Sequence, residues 1–179
     1  MNISKQIFKE FLDKDVINND RVVSYCLKQK SLAGAIKIAV LSRDIENKKH
    51  KHQYRIKNAQ LHMFLKKISL IKDKIQEVKN FEELLNLIVK EKILGIGPLA
   101  FYDIALRIGY YIKIKPDLIY LHAGAKTGAL NFFGRKIKNN YLTKDEFVAK
   151  VDDFNNFSCE EIEAFLCIHC NVIKNNKRC

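Results

Sequence analysis

Residues 81–112 read FEELLNLIVKEKILGIGPLAFYDIALRIGYYI, and the fold is decided there. Two amphipathic stretches flank a tight turn, Leu94–Gly95–Ile96–Gly97–Pro98. Asn80 with Glu83 makes a capping-box pattern, which starts the first helix at 81 and carries it to about 92. Two glycines one residue apart permit positive φ and close approach of the backbone to another molecule. Ile96 between them is expected to point inward and pin the turn to the core. Pro98 suits the first position of the next helix, where its missing N–H costs nothing. That helix start then offers free amides and a positive dipole end to an anion.

The same periodicity extends outward in both directions. Ile3, Ile7, Phe8, Phe11 and Leu12 predict an amphipathic helix over 3–13. A second helix begins at Val22 and Val23 behind the capping pair Asn19–Asp20, and the apolar run 32–42 predicts a buried third. Residues 44–57, DIENKKHKHQYRIK, set Lys48, Lys49, Lys51, Arg55 and Lys57 against Asp44 and Glu46. This segment reads either as a solvated helix start or loop, or as a strip that tracks phosphates. A helical stripe from Leu61 through Leu70 to Ile75 follows it. Pro116–Asp117 opens a helix over 117–133 that Gly134 ends. Thr143 with Glu146 and Ser158 with Glu161 cap helices over 144–151 and 159–173.

With two prolines and seven glycines in 179 residues, few breakers interrupt these helices, and an all-α fold follows. The length suits a single compact domain over 1–179, with a division into an N-terminal lobe 1–78 and a hairpin-containing lobe 79–173 as the alternative. The composition, 47% hydrophobic and 29% charged, excludes a disordered chain. A net charge of +12 favours a polyanionic partner. No apolar run reaches the ~20 residues that cross a bilayer. The opening MNISKQIFKEFLDKD is too often broken by charge for a secretory segment. A cytoplasmic protein with reduced cysteines, and no membrane partner, is the expectation.

The hydrophobic–Gly–hydrophobic–Gly turn, with small Ala100 and Ala105 on the helix after it, resembles the helix-hairpin-helix motif. That resemblance covers about thirty residues and implies that the hairpin amides, from Gly95 and Ile96 through Gly97 to Leu99, hold consecutive phosphates of one strand without reading sequence. Lys90 and Lys92 flank the turn and would add Coulomb attraction, together with Lys48, Lys49, Lys51 and Arg55. Arg107 reads either as part of this basic surround or as a partner for Asp103 one turn back. DNA is the implied partner. Docking of another protein by the hairpin is an alternative the motif also allows.

A helix-hairpin-helix followed by further helices is similar to the base-excision DNA glycosylases, which implies a second alternative, a divergent glycosylase or nuclease. Where bifunctional members of that family carry a Schiff-base lysine this chain has Leu99, so lyase chemistry is not implied. The family's aspartate falls on Asp117 in one alignment and on Tyr120 in another. The slim segment IYLHAGAKTGA, 119–129, carries His122 and Lys126 at i, i+4, either as tight packing or as a pocket where they meet Tyr120 and Asp103. Asp117, Tyr120, His122 and Lys126 are therefore the catalytic candidates. Several of these glycosylases hold an iron–sulfur cluster through C-x6-C-x2-C-x5-C. Cys159, Cys167, Cys170 and Cys179 fall in similar order at spacing C-x7-C-x2-C-x8-C. The bland reading makes them small buried hydrophobes and leaves the protein without a cofactor; zinc at Cys167, His169 and Cys170 is a further variant. His50 and His52 at i, i+2 cannot share one helical face, which counts against a metal site with His122. The segments KHKHQYRI, GIGPLAFYDIALRIG and IYLHAGAKTGA together resemble a set of uncharacterised bacterial proteins, and that resemblance implies no activity.

Overall fold

The computed structural model describes residue 11, residues 20–134 and residues 137–171. The helix expected over 3–13 lies outside the described residues except for Phe11, as do the last eight residues with Cys179. The fold is all-α: the described residues hold nine helices, two short 3-10 turns and a single two-stranded ribbon. The chain separates into two compact units, one spanning Asp20–Lys115 and the other joining the N-terminal segment to the residues from Pro116 onward.

The hairpin belongs to the Asp20–Lys115 unit. Helix α1 (Arg21–Leu27) starts where the Asp20 carboxylate accepts the amides of Val22 and Val23, as the capping pattern predicts. Helix α2 (Leu32–Leu41) is capped by Ser31 and ends at Ser42, a left-handed residue with φ 54°. Helix α3 (Asn58–Leu70) continues into α4 (Lys72–Glu77). The expected stripe holds for Leu61, Phe64, Ile68 and Ile75, all buried, but the helix breaks at Ile71 and turns Leu70 outward, 86% exposed.

Asn80 accepts the Glu83 amide and so opens α5 (Phe81–Lys90), which stops two residues short of the expected end. The Glu83 carboxylate reaches back past the cap to accept the amide of Lys79. Helix α6 (Pro98–Ile112) follows the hairpin and packs against α1, α2 and α5. Ala100 and Ala105 keep that helix slim where it is buried. Burying Phe64, Phe81 and Leu84 fully contributes about 2–3 kcal/mol each.

In the second unit an aromatic core gathers Phe132, Phe147, Phe154 and Phe165, with Phe11 edge-on to Phe165. The helix expected over 117–133 begins later, as α7 (Ala123–Phe133). Ahead of it Ile119–Tyr120 (β1) pairs antiparallel with Tyr141–Leu142 (β2), and Leu121 N donates to Asn140 O at 2.8 Å. Adjacent β-branched and aromatic residues, both buried, suit a pleated ribbon better than a helix start. Asp117 therefore precedes a strand and does not head a helix. Gly134 does end α7, with φ 69°. Helices α8 (Lys144–Val148) and α9 (Cys159–Ile168) carry both expected capping boxes and are shorter than expected. No helix among the described residues is long and apolar enough to cross a membrane.

Candidate nucleic-acid interface

Between α5 and α6 the chain reverses through residues 91–97. Gly95 has φ +89°, which a side chain rarely tolerates. A Cβ there would also collide with the Gln60 amide. Gln60 sits in the first turn of α3 and locks the turn. Its Nε2 donates to Leu94 O at 2.9 Å, and its Oε1 accepts the Lys57 amide at 3.2 Å. Ile96 is 7% exposed and anchors the loop from below.

Gly97 is different. It caps α6 with φ −101° and ψ 175°, open to any residue, and a Cβ on it would meet nothing within 4 Å. Neither backbone conformation nor packing among the described residues calls for glycine at 97. Its carbonyl accepts the amides of Ala100 and Phe101. The amides of Gly97 and Leu99 have no acceptor among the described residues, and Pro98 has none to satisfy. The arrangement is an open helix start with unspent donors and a dipole that favours an anion. Lys90 and Lys92 are exposed on the approach to it, and so is Leu94, at 94%.

The basic segment, which sequence left between loop and helix start, is an ordered loop. The Asp44 carboxylate accepts the amides of Glu46 and Lys48, at 3.0 and 2.9 Å. Residues 43 and 49 form an antiparallel bridge, and Lys51–Gln53 makes a single 3-10 turn. Glu46 pairs with Arg21 at 3.1 Å and with Lys48 at 2.6 Å, so Lys48 is spent inside the loop. Lys49 donates from Nζ to Ile56 O. Lys51 and Arg55 are exposed, with no partner among the described residues. The loop runs into Lys57 and Gln60, and so ends against the hairpin.

Beneath the loop lies a buried polar network that sequence only half anticipates. Arg107 is 1% exposed, so it adds nothing to a basic surface. Its Nη1 donates to Ser42 Oγ at 2.8 Å and Ala39 O at 3.3 Å, and its Nη2 donates to Gln53 Oε1 at 3.3 Å. The nearest carboxylate to the guanidinium is that of Asp20, at 3.9 Å. The expected pairing with Asp103 is not the contact made; Asp103 accepts from Gln53 Nε2 at 2.6 Å and faces His52 Nδ1 at 2.9 Å. Burial alone would raise the Asp103 pKa, but the His52 hydrogen bond and the Arg107 charge hold it below the usual carboxylate value. An ionised Asp103 requires the proton on His52 Nδ1, which leaves Nε2 available. Burial, reinforced by Arg107, depresses the His50 pKa. The signal for this network was visible as Asp103 and Arg107, one turn apart on an otherwise apolar helix; Gln53, Ser42 and Gln60 carried none.

His50 and His52 do approach each other, with ring centroids 4.7 Å apart, because the segment is a 3-10 turn and not the helix that the i, i+2 argument assumed. With Asp103 they bring three potential ligand atoms within 4.8 Å of one another. The Asp103 oxygen is already engaged by His52 and Gln53, and Arg107 adds a like charge that would oppose a dication. Hydrogen bonding explains the group better than metal ligation does.

In the second unit His122 is the N-cap of α7, outside the helix, so its i, i+4 relation to Lys126 is not that of two helical residues on one face. The Tyr120 and His122 rings stack with an interplanar angle of 3°, and Lys126 Nζ donates to Asn140 Oδ1 at 3.0 Å. Asp103 belongs to the other unit. The slimness of α7 serves packing, because a Cβ on Gly128 would collide with the Leu166 carbonyl of α9. Cys167 lies against Gly124, and Cys159 is buried, its pKa pushed up to about 11 chiefly by burial. Cys159, Cys167 and Cys170 form no metal-binding group with one another among the described residues.

Comparison with known proteins finds no matching family model, no matching curated protein and no matching solved structure. The functional reading therefore rests on geometry.

Proposed function

We propose that this protein binds nucleic-acid backbone, DNA first among the candidates, without reading sequence, and that the turn at Gly95–Leu99 is the grip. The observation that carries the reading is Gly97. Nothing among the described residues requires glycine there, yet its absence of side chain leaves the amides of Gly97 and Leu99, which have no acceptor among those residues, open to a close-approaching phosphate. Two backbone donors at a helix start suit a phosphate oxygen and carry no base information. Lys90 and Lys92 beside the turn, and Lys49, Lys51 and Arg55 in the loop that ends against it, supply the diffuse attraction. Lys48 contributes less, because Glu46 already neutralises it. The free cysteines fit a reducing, cytoplasmic setting.

Fluorescence-anisotropy titration of single-stranded and duplex DNA over a salt series tests this. Engagement of ~4–6 phosphates gives a slope of log affinity against log salt of about −4 to −5. A flat response, or no binding at low salt, contradicts it. Leu94, almost fully exposed at the tip of the turn, favours the protein-docking alternative in that event.

A further inference from the structure

The charges in the loop before α3 do not balance locally. Its two acids are engaged: Asp44 folds the backbone of the loop, and Glu46 is shared between Arg21 and Lys48. The remaining cations, Lys49, Lys51 and Arg55, gather with His52 and Tyr54 around a concavity of about 560 Å³ whose lining contains no carboxylate. Each lining side chain is held or free in a telling way. Lys49 is fixed by its bond to Ile56 O, with two ammonium protons left over. Lys51 and Arg55 have no partner among the described residues. His52 is oriented through Nδ1 by Asp103, itself set by Gln53, and forms one wall of the concavity. Tyr54 is 76% exposed, an aromatic ring offered to solvent between cations.

We propose that this concavity binds a phosphomonoester carried on a nucleoside, with Lys49, Lys51 and Arg55 on the phosphate and Tyr54 stacked on the base. Three uncompensated cations on one spot, rather than spaced along a strand, suit a group of charge about −1.5 to −2 better than a singly charged internal diester. The volume lies within the ~300–1,000 Å³ range of small-molecule sites. Base–aromatic stacking tolerates any base. The phosphomonoester has two sources, the phosphorylated end of a strand or a free mononucleotide. Only the first rests on the nucleic-acid reading above.

The test uses the whole protein and short single strands that carry a phosphate or a hydroxyl at either end, with AMP titrated separately by calorimetry. A second protein, the Lys51→Gln/Arg55→Gln variant, removes two exposed side chains that the fold does not use. The proposal predicts that a phosphorylated end binds at least about tenfold more tightly than the hydroxyl end, the scale of a charge-assisted contact. It also predicts that the double variant erases this preference, while hydroxyl-end strands still bind through the hairpin, more weakly than to wild type because two cations of the loop are gone. AMP binding that the double variant abolishes, without any strand binding, upholds the pocket and removes the hairpin reading. Equal binding of phosphate and hydroxyl ends, with no AMP binding, overturns the pocket and leaves the hairpin standing. A preference that survives in the double variant overturns it too.

Discussion

Arg107 illustrates how a single side chain organises this protein. It is a fully buried cation on α6, its guanidinium shared among Ser42, Ala39 and Gln53 and within 3.9 Å of Asp20. Removing one member of such a buried set leaves the others unpaired in a medium that cannot solvate them. Arg107→Met is expected to lose about 3–5 kcal/mol of stability, read by urea denaturation; a loss near zero would mean that the network is hydrated. Asp103 gives a pH signature. Its folded pKa is depressed, so its contribution is complete above the unfolded carboxylate value near ~3.9 and disappears as pH falls through the lower folded value. The stability difference between wild type and Asp103→Asn should hold steady from neutral pH to about pH 5 and shrink below about pH 4. A difference that does not change with acid would place the Asp103 charge outside the network. Cys26 sits in the same core, its thiol pushed up to about 12 by burial against the partial help of Arg107. Native protein at mildly alkaline pH should therefore resist alkylation at Cys26, and denatured protein should not.

At the scale of elements, the hairpin was legible in the sequence because its chemistry is local. Capping at Asn80, positive φ at Gly95, an inward Ile96 and Pro98 at the first helical position are all decided by neighbours within a few residues. Capping boxes at Thr143 and Ser158 were legible for the same reason. The start of α7 was not, because Ile119–Tyr120 is a strand only through its pairing with Tyr141–Leu142, a partner twenty-odd residues away. Likewise, no spacing rule announces that Gln60 will reach Leu94 O or that Gln53 will join Asp103 to Arg107. The basic segment, with five cations in fourteen residues, reads as a helix start or loop or as a phosphate-tracking strip; the fold makes it an ordered loop that pairs Lys48 with Glu46 and gathers Lys49, Lys51 and Arg55. The two hairpin glycines differ in kind, and substitution separates them. Gly95→Ala forces a side chain to positive φ and into Gln60, and should cost about 1–2 kcal/mol in thermal or urea unfolding. At Gly97 a Cβ meets no atom of the described residues, and Thr caps a helix about as well as glycine, so Gly97→Thr should stay within about 0.5 kcal/mol of wild type in stability.

For the whole molecule, a net charge of +12 is neither random decoration nor proof of a partner; what matters is where acids fail to cancel it. In the Asp20–Lys115 unit that place is the basic loop and the turn it ends against, and the central claim is that backbone amides there hold phosphate. The most direct measurement is anisotropy titration of one DNA strand with wild type and with Gly97→Thr, both at low salt and both checked for equal unfolding stability. The account predicts salt-sensitive binding by wild type and a loss of about tenfold or more in the equally stable variant, because the threonine side chain occupies the phosphate's approach and offers its own oxygen to the Leu99 amide. Equal affinity of the two proteins would contradict it, and the turn would then be a structural hairpin that holds no phosphate.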